Sequence, residues 1–344
     1  MHFVDFLGKK IGDGYPSYVI SEIGVNFRTL EEGKKLIDAS IAAGADSVKI
    51  QTFKAENLAS KEAIFDLPST GKQSQYDVFQ DLEIPEEIQR GLFSYAHAKN
   101  IVFFSTPSDK HDVNFLESLE MKIYKIGSDD ANNIPFLEYV AQLKKPTIVS
   151  TGMCTMEEAE QIKDIFSSYD NDKLALLHCV TKYPTEPKYV NLNAINSMKQ
   201  KLQIPVGYSD HSIGIEVCKA AVAFGANVIE KHVTLDKNQK GPDHILSATP
   251  TELSELVAFS RLFYSALGDG VKRPAECEEF TRKESRKSVV ALQNIPIGTV
   301  LKEDLLGTKR PGHGIPSSRF KELIGKITKT EIKKNQMIKW SDLI

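Results

Sequence analysis

The chain has 344 residues, 41% hydrophobic and 26% charged, with a formal net charge of −3. That length allows a large core and more than one domain, while the near-balanced charge excludes the strongly basic surface of a nucleic-acid binder or of a protein drawn to acidic membranes. No apolar run reaches the length a bilayer demands, and the opening MHFVDFLGKKIGDG lacks the apolar core and cleavage site of a signal peptide. Cys154, Cys179, Cys218 and Cys277 are too scattered for a metal finger or a CxxC pair, which fits reduced thiols in a cytoplasmic protein.

Eight short β-branched or aromatic runs follow in order: YVISEIG (18–24), SVKIQTF (47–53), IVFFSTP (101–107), IYKIGS (123–128), TIVSTG (147–152), LALLHCV (174–180), IPVGYSD (204–210) and VIEKHVTL (228–235). Each reads as a strand buried on both faces. Amphipathic segments lie between them, such as LEEGKKLIDASIAAGA (30–45), with a stripe of Leu30, Leu36, Ile37, Ile41 and Ala42, and TMEEAEQIKDIFSS (155–168). Eight β-then-α units predict an α/β fold of the (β/α)8 TIM-barrel type over residues 1–267. Residues 54–85 are a long connection without sustained periodicity, expected to be a lid or a dimer contact.

Residues 268–284 are charged and carry Gly and Pro, as a linker does. From 285 to 344 there are twelve Lys or Arg against five Asp or Glu, and short strand-like pieces replace helices. Ile295–Lys302 echoes Ile332–Lys339, with Gly298 and Asn335 in matching places. Both residue types accept a positive φ, so a small β-rich domain with two similar tight turns is expected.

Nearly every strand ends in polar or small residues, and in a TIM barrel those ends converge on the active site. Alternation makes Lys49 and Gln51 point together, and likewise Glu230 and His232. Lys49 and Lys125 sit in apolar strands, where a lysine is costly unless it meets an anion or a carboxylate. An anionic ligand is favoured over two structural pairs with Glu22 and Glu230. Thr106, Ser128, Ser150 and Ser209 add hydroxyls suited to phosphate and carboxylate oxygens. His211 and His232 end neighbouring strands and either share one metal ion or make separate hydrogen bonds. His178 reads as a satisfied core or supporting residue. Asp243, in GPDH (241–244), either accepts from sugar hydroxyls or sits in a solvated turn.

Taken together, SEIGVN (21–26), VKIQTF (48–53), FFSTP (103–107), YKIGS (124–128), IVSTGM (148–153), LLHCVTKYPT (176–185), YSDHS (208–212), EKHVTLD (230–236), GPDH and KRPGHG (309–314) resemble the sialic acid synthase family, in order along the whole chain. The last sixty residues resemble that family's C-terminal antifreeze-like (SAF, β-clip) domain. The resemblance implies a transferase that condenses phosphoenolpyruvate with an N-acylated mannosamine-type sugar, giving a nine-carbon nonulosonic acid and phosphate, with a divalent metal, Mn2+ or Mg2+. It implies His211 and His232 as metal ligands. Lys49, Thr106, Lys125, Ser128, Ser150 and Ser209 match phosphoenolpyruvate contacts, and Gln51, Tyr183 and Asp243 match sugar contacts. Arg310 matches an arginine delivered to the barrel of the other subunit in a domain-swapped homodimer, and Glu22 a carboxylate facing the reacting atoms. The pattern departs from the family at Phe27 and Thr29, expected to reshape a loop near the sugar, at Asp130, a shortened acid/base arm, and at Thr181. Competing readings are a synthase for another 2-keto-3-deoxy sugar acid, a Schiff-base aldolase using Lys49 or Lys125, and a carbohydrate-binding barrel without activity.

Overall fold

The computed structural model describes residues 3–67 and 71–344. The chain divides into two compact units, Met1–Gly268 and Asp269–Ile344.

The first unit begins with an antiparallel hairpin, β1 (Phe3–Phe6) and β2 (Lys9–Gly12). At four residues each, these strands are too short for their alternation to stand out in the sequence. They bury Phe6 and Ile11, with the Phe6 ring edge-on to Tyr18, 6.2 Å between centroids.

Next come β3 (Tyr18–Gly24) and β4 (Ser47–Thr52). The connection after β4 contains a helical turn (Ala55–Leu58), a hairpin of β5 (Ile64–Leu67) and β6 (Gly71–Ser74), and a helix (Gln75–Leu82). It holds more regular structure than its sequence suggests, because each piece is shorter than a periodicity needs; residues 68–70 lie outside the described residues. Then follow β7 (Val102–Pro107), β8 (Tyr124–Ile126), β9 (Thr147–Ser150), β10 (Leu174–Cys179), β11 (Val206–Asp210) and β12 (Val228–His232). The eight strands β3, β4 and β7–β12 are parallel neighbours in a closed barrel, β12 pairing back onto β3. This is the expected TIM barrel.

The helix Leu30–Ala42 shows how the outer layer is set. Thr29 and Glu32 form a reciprocal capping box at its start. Leu36 and Ile37 are buried against the sheet, each stabilising by about 1.5–3 kcal/mol. The predicted stripe is centred correctly, but Ala42 is exposed, since Gly33 and Ser40 take the remaining buried positions. Thr155 and Glu158 cap Met156–Ser168 in the same way.

The second unit pairs β13 (Ser288–Ala291) with β14 (Leu306–Lys309) around its own core of Val289, Ile295, Leu301 and Ile332. Gly298 and Asn335 have φ of 77° and 68°, as their turns require. Ile295 and Ile332 exchange backbone hydrogen bonds of 2.8 and 2.9 Å, so the two echoing segments pair with each other. The segment read as a linker is not all irregular: Glu279–Ser285 is helical.

Candidate active site

At the C-terminal ends of the barrel strands lies a cavity of about 440 Å3, within the size range of small-molecule sites. Lys49 and Gln51 on β4, Ser209 and His211 at the end of β11, and Glu230 and His232 on β12 all line it, as alternation predicts. Thr106, Lys125, Ser128, Ser150, Tyr183 and Asp243 line the same space. Eleven of the thirteen candidate residues are thus brought together, the exceptions being Glu22 and Arg310.

Glu22 is placed differently from expectation. Its carboxyl is wholly buried and does not reach the cavity wall. It sits behind the wall, in ion contact with Lys49 and 3.4 Å from the Gln51 amide nitrogen. A strand irregularity between Glu22 and Gly24 makes room for it. Gly24 has a φ of 46°, and a Cβ there would lie 2.7 Å from Glu22 Oε1. Arg310 belongs to the second unit, where it is exposed.

Both lysines meet the carboxylates that the sequence offered as structural partners, Glu22 and Glu230, and each also donates to a hydroxyl. Lys49 Nζ donates to Thr106 Oγ1 at 2.8 Å and pairs with Glu22. Lys125 Nζ donates to Ser150 Oγ at 2.6 Å and to the Ile126 carbonyl at 2.8 Å, and lies 3.9 Å from Glu230 Oε1. Ser209 Oγ donates to Glu230 Oε1 at 3.2 Å. Ser128 Oγ accepts from Gly152 N at 3.0 Å. Hydroxyls and ammonium groups therefore form one hydrogen-bonded polar set, and the same cavity is also lined by the apolar side chains of Phe53, Leu58, Phe65, Val78 and Phe79. The Phe79 ring is edge-on to Phe53 and Phe65, at 5.6 and 5.5 Å between centroids.

Burial pushes Glu22 up to about 7, against the pull of Lys49. Burial also opposes the charge on Lys49, but Glu22 and Glu230 outweigh it and hold the ammonium above its ordinary range. Lys125 is lowered by burial, and Glu230 is lowered because Lys125 and Lys49 together overcome burial. At neutral pH the cluster is a cationic Lys49 beside a carboxyl near the midpoint of its titration. Asp243 is raised to about 6 by burial.

The two imidazoles have centroids 5.5 Å apart. His211 Nδ1 donates to the Val180 carbonyl at 2.9 Å, which leaves the Nε2 lone pair free. His232 Nδ1 is buried without a hydrogen bond, 3.4 Å from Asp243 Oδ2. Burial lowers the pKa of both rings, so both are neutral and able to ligate. A tautomer fixed by a backbone carbonyl and an orphaned ring nitrogen fit a divalent cation between the two. The Tyr183 ring packs against His211, tilted by 33° at 4.0 Å between centroids.

Among the departures, Phe27 does not line the cavity. It packs in the hydrophobic core beside the Leu30–Ala42 helix, and Thr29 caps that helix, so both serve packing and capping instead of shaping a sugar loop. Asp130 and Thr181 do line the cavity, and burial raises Asp130 to about 6. His178 is satisfied by the Val190 carbonyl, 2.6 Å from Nε2. The sequence reading undervalued Glu230, taken only as a pairing partner, although the alternation that turns His232 inward turns Glu230 inward too. It also missed Cys179, whose Sγ is 3.7 Å from His211 Nδ1, and the phenylalanine wall, which no strand-end pattern marks.

The NeuB family profile matches residues 36–272 and the SAF domain profile residues 286–344. The N,N'-diacetyllegionaminic acid synthase of Campylobacter jejuni is 41% identical over 93% of this chain and 98% of its own length. This chain belongs to the NeuB family. Another relative is the N-acetylneuraminate-9-phosphate synthase of Homo sapiens, 38% identical over 93% of this chain and 90% of that protein. Among solved NeuB-like structures, the N-acetylneuraminic acid synthetase of Leptospira borgpetersenii in complex with citrate superposes with a TM-score of 0.73 at 33% identity, covering 81% of this chain and 96% of that one. Relatives of this chain are named as synthases of sialic, legionaminic and pseudaminic acids, and this chain joins the NeuB region to an SAF domain.

Proposed function

We propose that the protein condenses phosphoenolpyruvate with an N-acylated mannosamine-type sugar in its open-chain form, releasing phosphate. A carbon–carbon bond forms between C3 of the enol phosphate and the sugar aldehyde carbon, and the aldehyde oxygen gains a proton. Water adds at C2, and phosphate departs with the bridging oxygen by C–O cleavage. The observation that carries this reading is the pairing of Lys49 and Lys125 with Thr106 and Ser150 on the wall that also bears two neutral histidines. Two ammonium groups and two hydroxyls suit a ligand carrying both a phosphate and a carboxylate. Glu22 keeps Lys49 oriented from behind. A divalent cation, Mn2+ or Mg2+, held by His211 and His232 would supply Lewis-acid polarisation of the aldehyde oxygen. Gln51, Tyr183 and Asp243, which line the same cavity, would meet sugar hydroxyls.

The sugar itself is read from the apolar part of the lining. Among the described residues lining the cavity, Lys49 and Lys125 are the lysines or arginines, and phosphoenolpyruvate takes both. Lys54 is paired with Glu83, Lys61 lies over the Tyr76 ring, and neither lines the cavity. The phenylalanine side chains offer contact for acetamido methyls and a deoxy carbon, and the barrel's own lining, among the described residues, leaves no further lysine or arginine for a sugar 6-phosphate. This supports a 2,4-diacetamido-2,4,6-trideoxy sugar, in line with the name of the Campylobacter relative. Arg310 is proposed to arrive from a partner subunit in a domain-swapped homodimer.

The test is phosphate release from phosphoenolpyruvate with Mn2+ and a panel of N-acylated mannosamine sugars. Release that depends on both substrates is expected. No release with any sugar refutes the synthase reading, and borohydride trapping of a pyruvate adduct would replace it with an aldolase.

A further inference from the structure

The faces of β11 and β12 turned away from the cavity carry a second set of charges. Asp210 and Lys231 have side chains 0% exposed, and Lys231 Nζ lies 2.5 Å from Asp210 Oδ2. The carboxylate also accepts from the Tyr208 hydroxyl at 3.0 Å, from Ser212 N at 3.1 Å, from Ser212 Oγ at 3.0 Å and from the Cys218 thiol at 3.3 Å. Lys231 Nζ makes a further bond of 2.6 Å to the Ser212 carbonyl. None of these residues lines the cavity.

A wholly buried ion pair adds little stability over well-packed apolar side chains of similar volume, because desolvation offsets the attraction. What it does provide is directional bonding between two particular strands. Asp210 and Ser212 flank His211 in sequence, and Lys231 lies between Glu230 and His232. One ammonium therefore bonds to the residues on both sides of His211 while its own backbone precedes His232. In parallel register Asp210 is opposite Lys231, so the clamp acts one residue before each imidazole. The turn at 210–212 cannot slide or rotate without breaking bonds that have no water to replace them.

The geometry points to Asp210 and Lys231 as positioning residues that fix the separation of His211 and His232 and thereby set the affinity for a divalent cation. This inference rests on the reading of those two histidines as a metal pair. Neither residue touches substrate; each acts through the imidazole beside it.

The double variant Asp210→Asn with Lys231→Met removes both charges at nearly constant volume. Mn2+ is titrated into full-length wild type, the double variant and His211→Ala, following loss of the paramagnetic resonance signal of free Mn2+, with thermal unfolding measured without metal. The expected result is a folded double variant with a midpoint at or above that of wild type and Mn2+ binding weakened by about 10- to 100-fold, the range for residues that orient metal ligands. Wild-type Mn2+ affinity in a folded double variant overturns the inference. If the double variant does not fold, Ser212→Ala, which removes one hydroxyl donor to Asp210, is expected to weaken Mn2+ binding several-fold, and unchanged affinity there overturns the inference equally. Failure of the metal reading looks different: wild type then binds no Mn2+, or His211→Ala binds it as tightly as wild type, and the inference falls with it.

Discussion

Replacing Glu22 by Gln separates two accounts of the buried Glu22–Lys49 contact. In the folded protein Glu22 titrates at about 7, raised from 4.5 mainly by burial. Each pKa unit is worth about 1.4 kcal/mol, so ionised Glu22 costs the fold about 3 kcal/mol relative to the unfolded chain. The folded protein holds this proton more tightly than the unfolded chain does. The contribution is therefore fully present below pH 4.5 and is lost as pH rises through about 7. Gln has no proton to lose. Glu22→Gln should match wild type near pH ~5 and become more stable by up to about 3 kcal/mol near pH ~8, while activity falls because Lys49 loses its orienting carboxyl. Urea unfolding of both proteins across this range reads the difference directly. A destabilisation of about 3–5 kcal/mol at the higher pH, the signature of a broken buried ion pair, would refute the reasoning and show that Glu22 is ionised in the fold.

Four further outcomes are expected. His211→Ala and His232→Ala should each abolish Mn2+ binding and turnover with the barrel intact, and near-normal turnover in either removes the metal assignment. Because burial holds both imidazoles below their ordinary range, wild-type Mn2+ binding should persist at a pH of about 6, where ordinary imidazoles, with pKa near ~6.5, already compete with protons; an isothermal titration series across pH checks this. A chain lacking residues 285–344 should fold as a barrel with little activity, and mixing it with a barrel-inactive, full-length variant should restore turnover if Arg310 acts in trans. Finally, kcat/KM should favour a 2,4-diacetamido-2,4,6-trideoxy sugar over N-acetylmannosamine 6-phosphate, and Phe79→Ala should narrow that preference; a preference for the phosphorylated sugar refutes the reading of the apolar wall.

The barrel was legible in the sequence because each strand lies in a β-branched or aromatic run that ends in polar residues and is followed by an amphipathic segment, and every one of the eight runs coincides with a barrel strand. The polar wall was legible for a related reason: period-two alternation fixes which of Lys49, Gln51, Ser209, His211 and His232 turn inward. Depth was not legible. Glu22 obeys the same alternation, yet Lys49 covers it, and only the three-dimensional course of the neighbouring strand shows that. The hairpin of β1 and β2 and the Phe53–Phe65–Phe79 wall were hidden because they depend on short segments whose order comes from packing against the barrel. Phe27 misled in the opposite direction. Its departure from the family pattern suggested a change at the site, but the side chain had simply turned into the core.

The pairing of β12 with β3 places His232 opposite Glu22, and this has a consequence for biogenesis. The ribosome releases β3 and β4 first, with Glu22 and Lys49, whereas both histidines emerge only with the last two barrel strands. A nascent chain must therefore hold an unclosed sheet with two free edges, vulnerable to pairing with other chains, until the final strand arrives. Ring closure joins segments far apart in sequence, the kind of contact that slows folding. Synthesis of a competent centre is thus all or none: no partial product, however well ordered its early strands, can assemble the two imidazoles beside the two lysines.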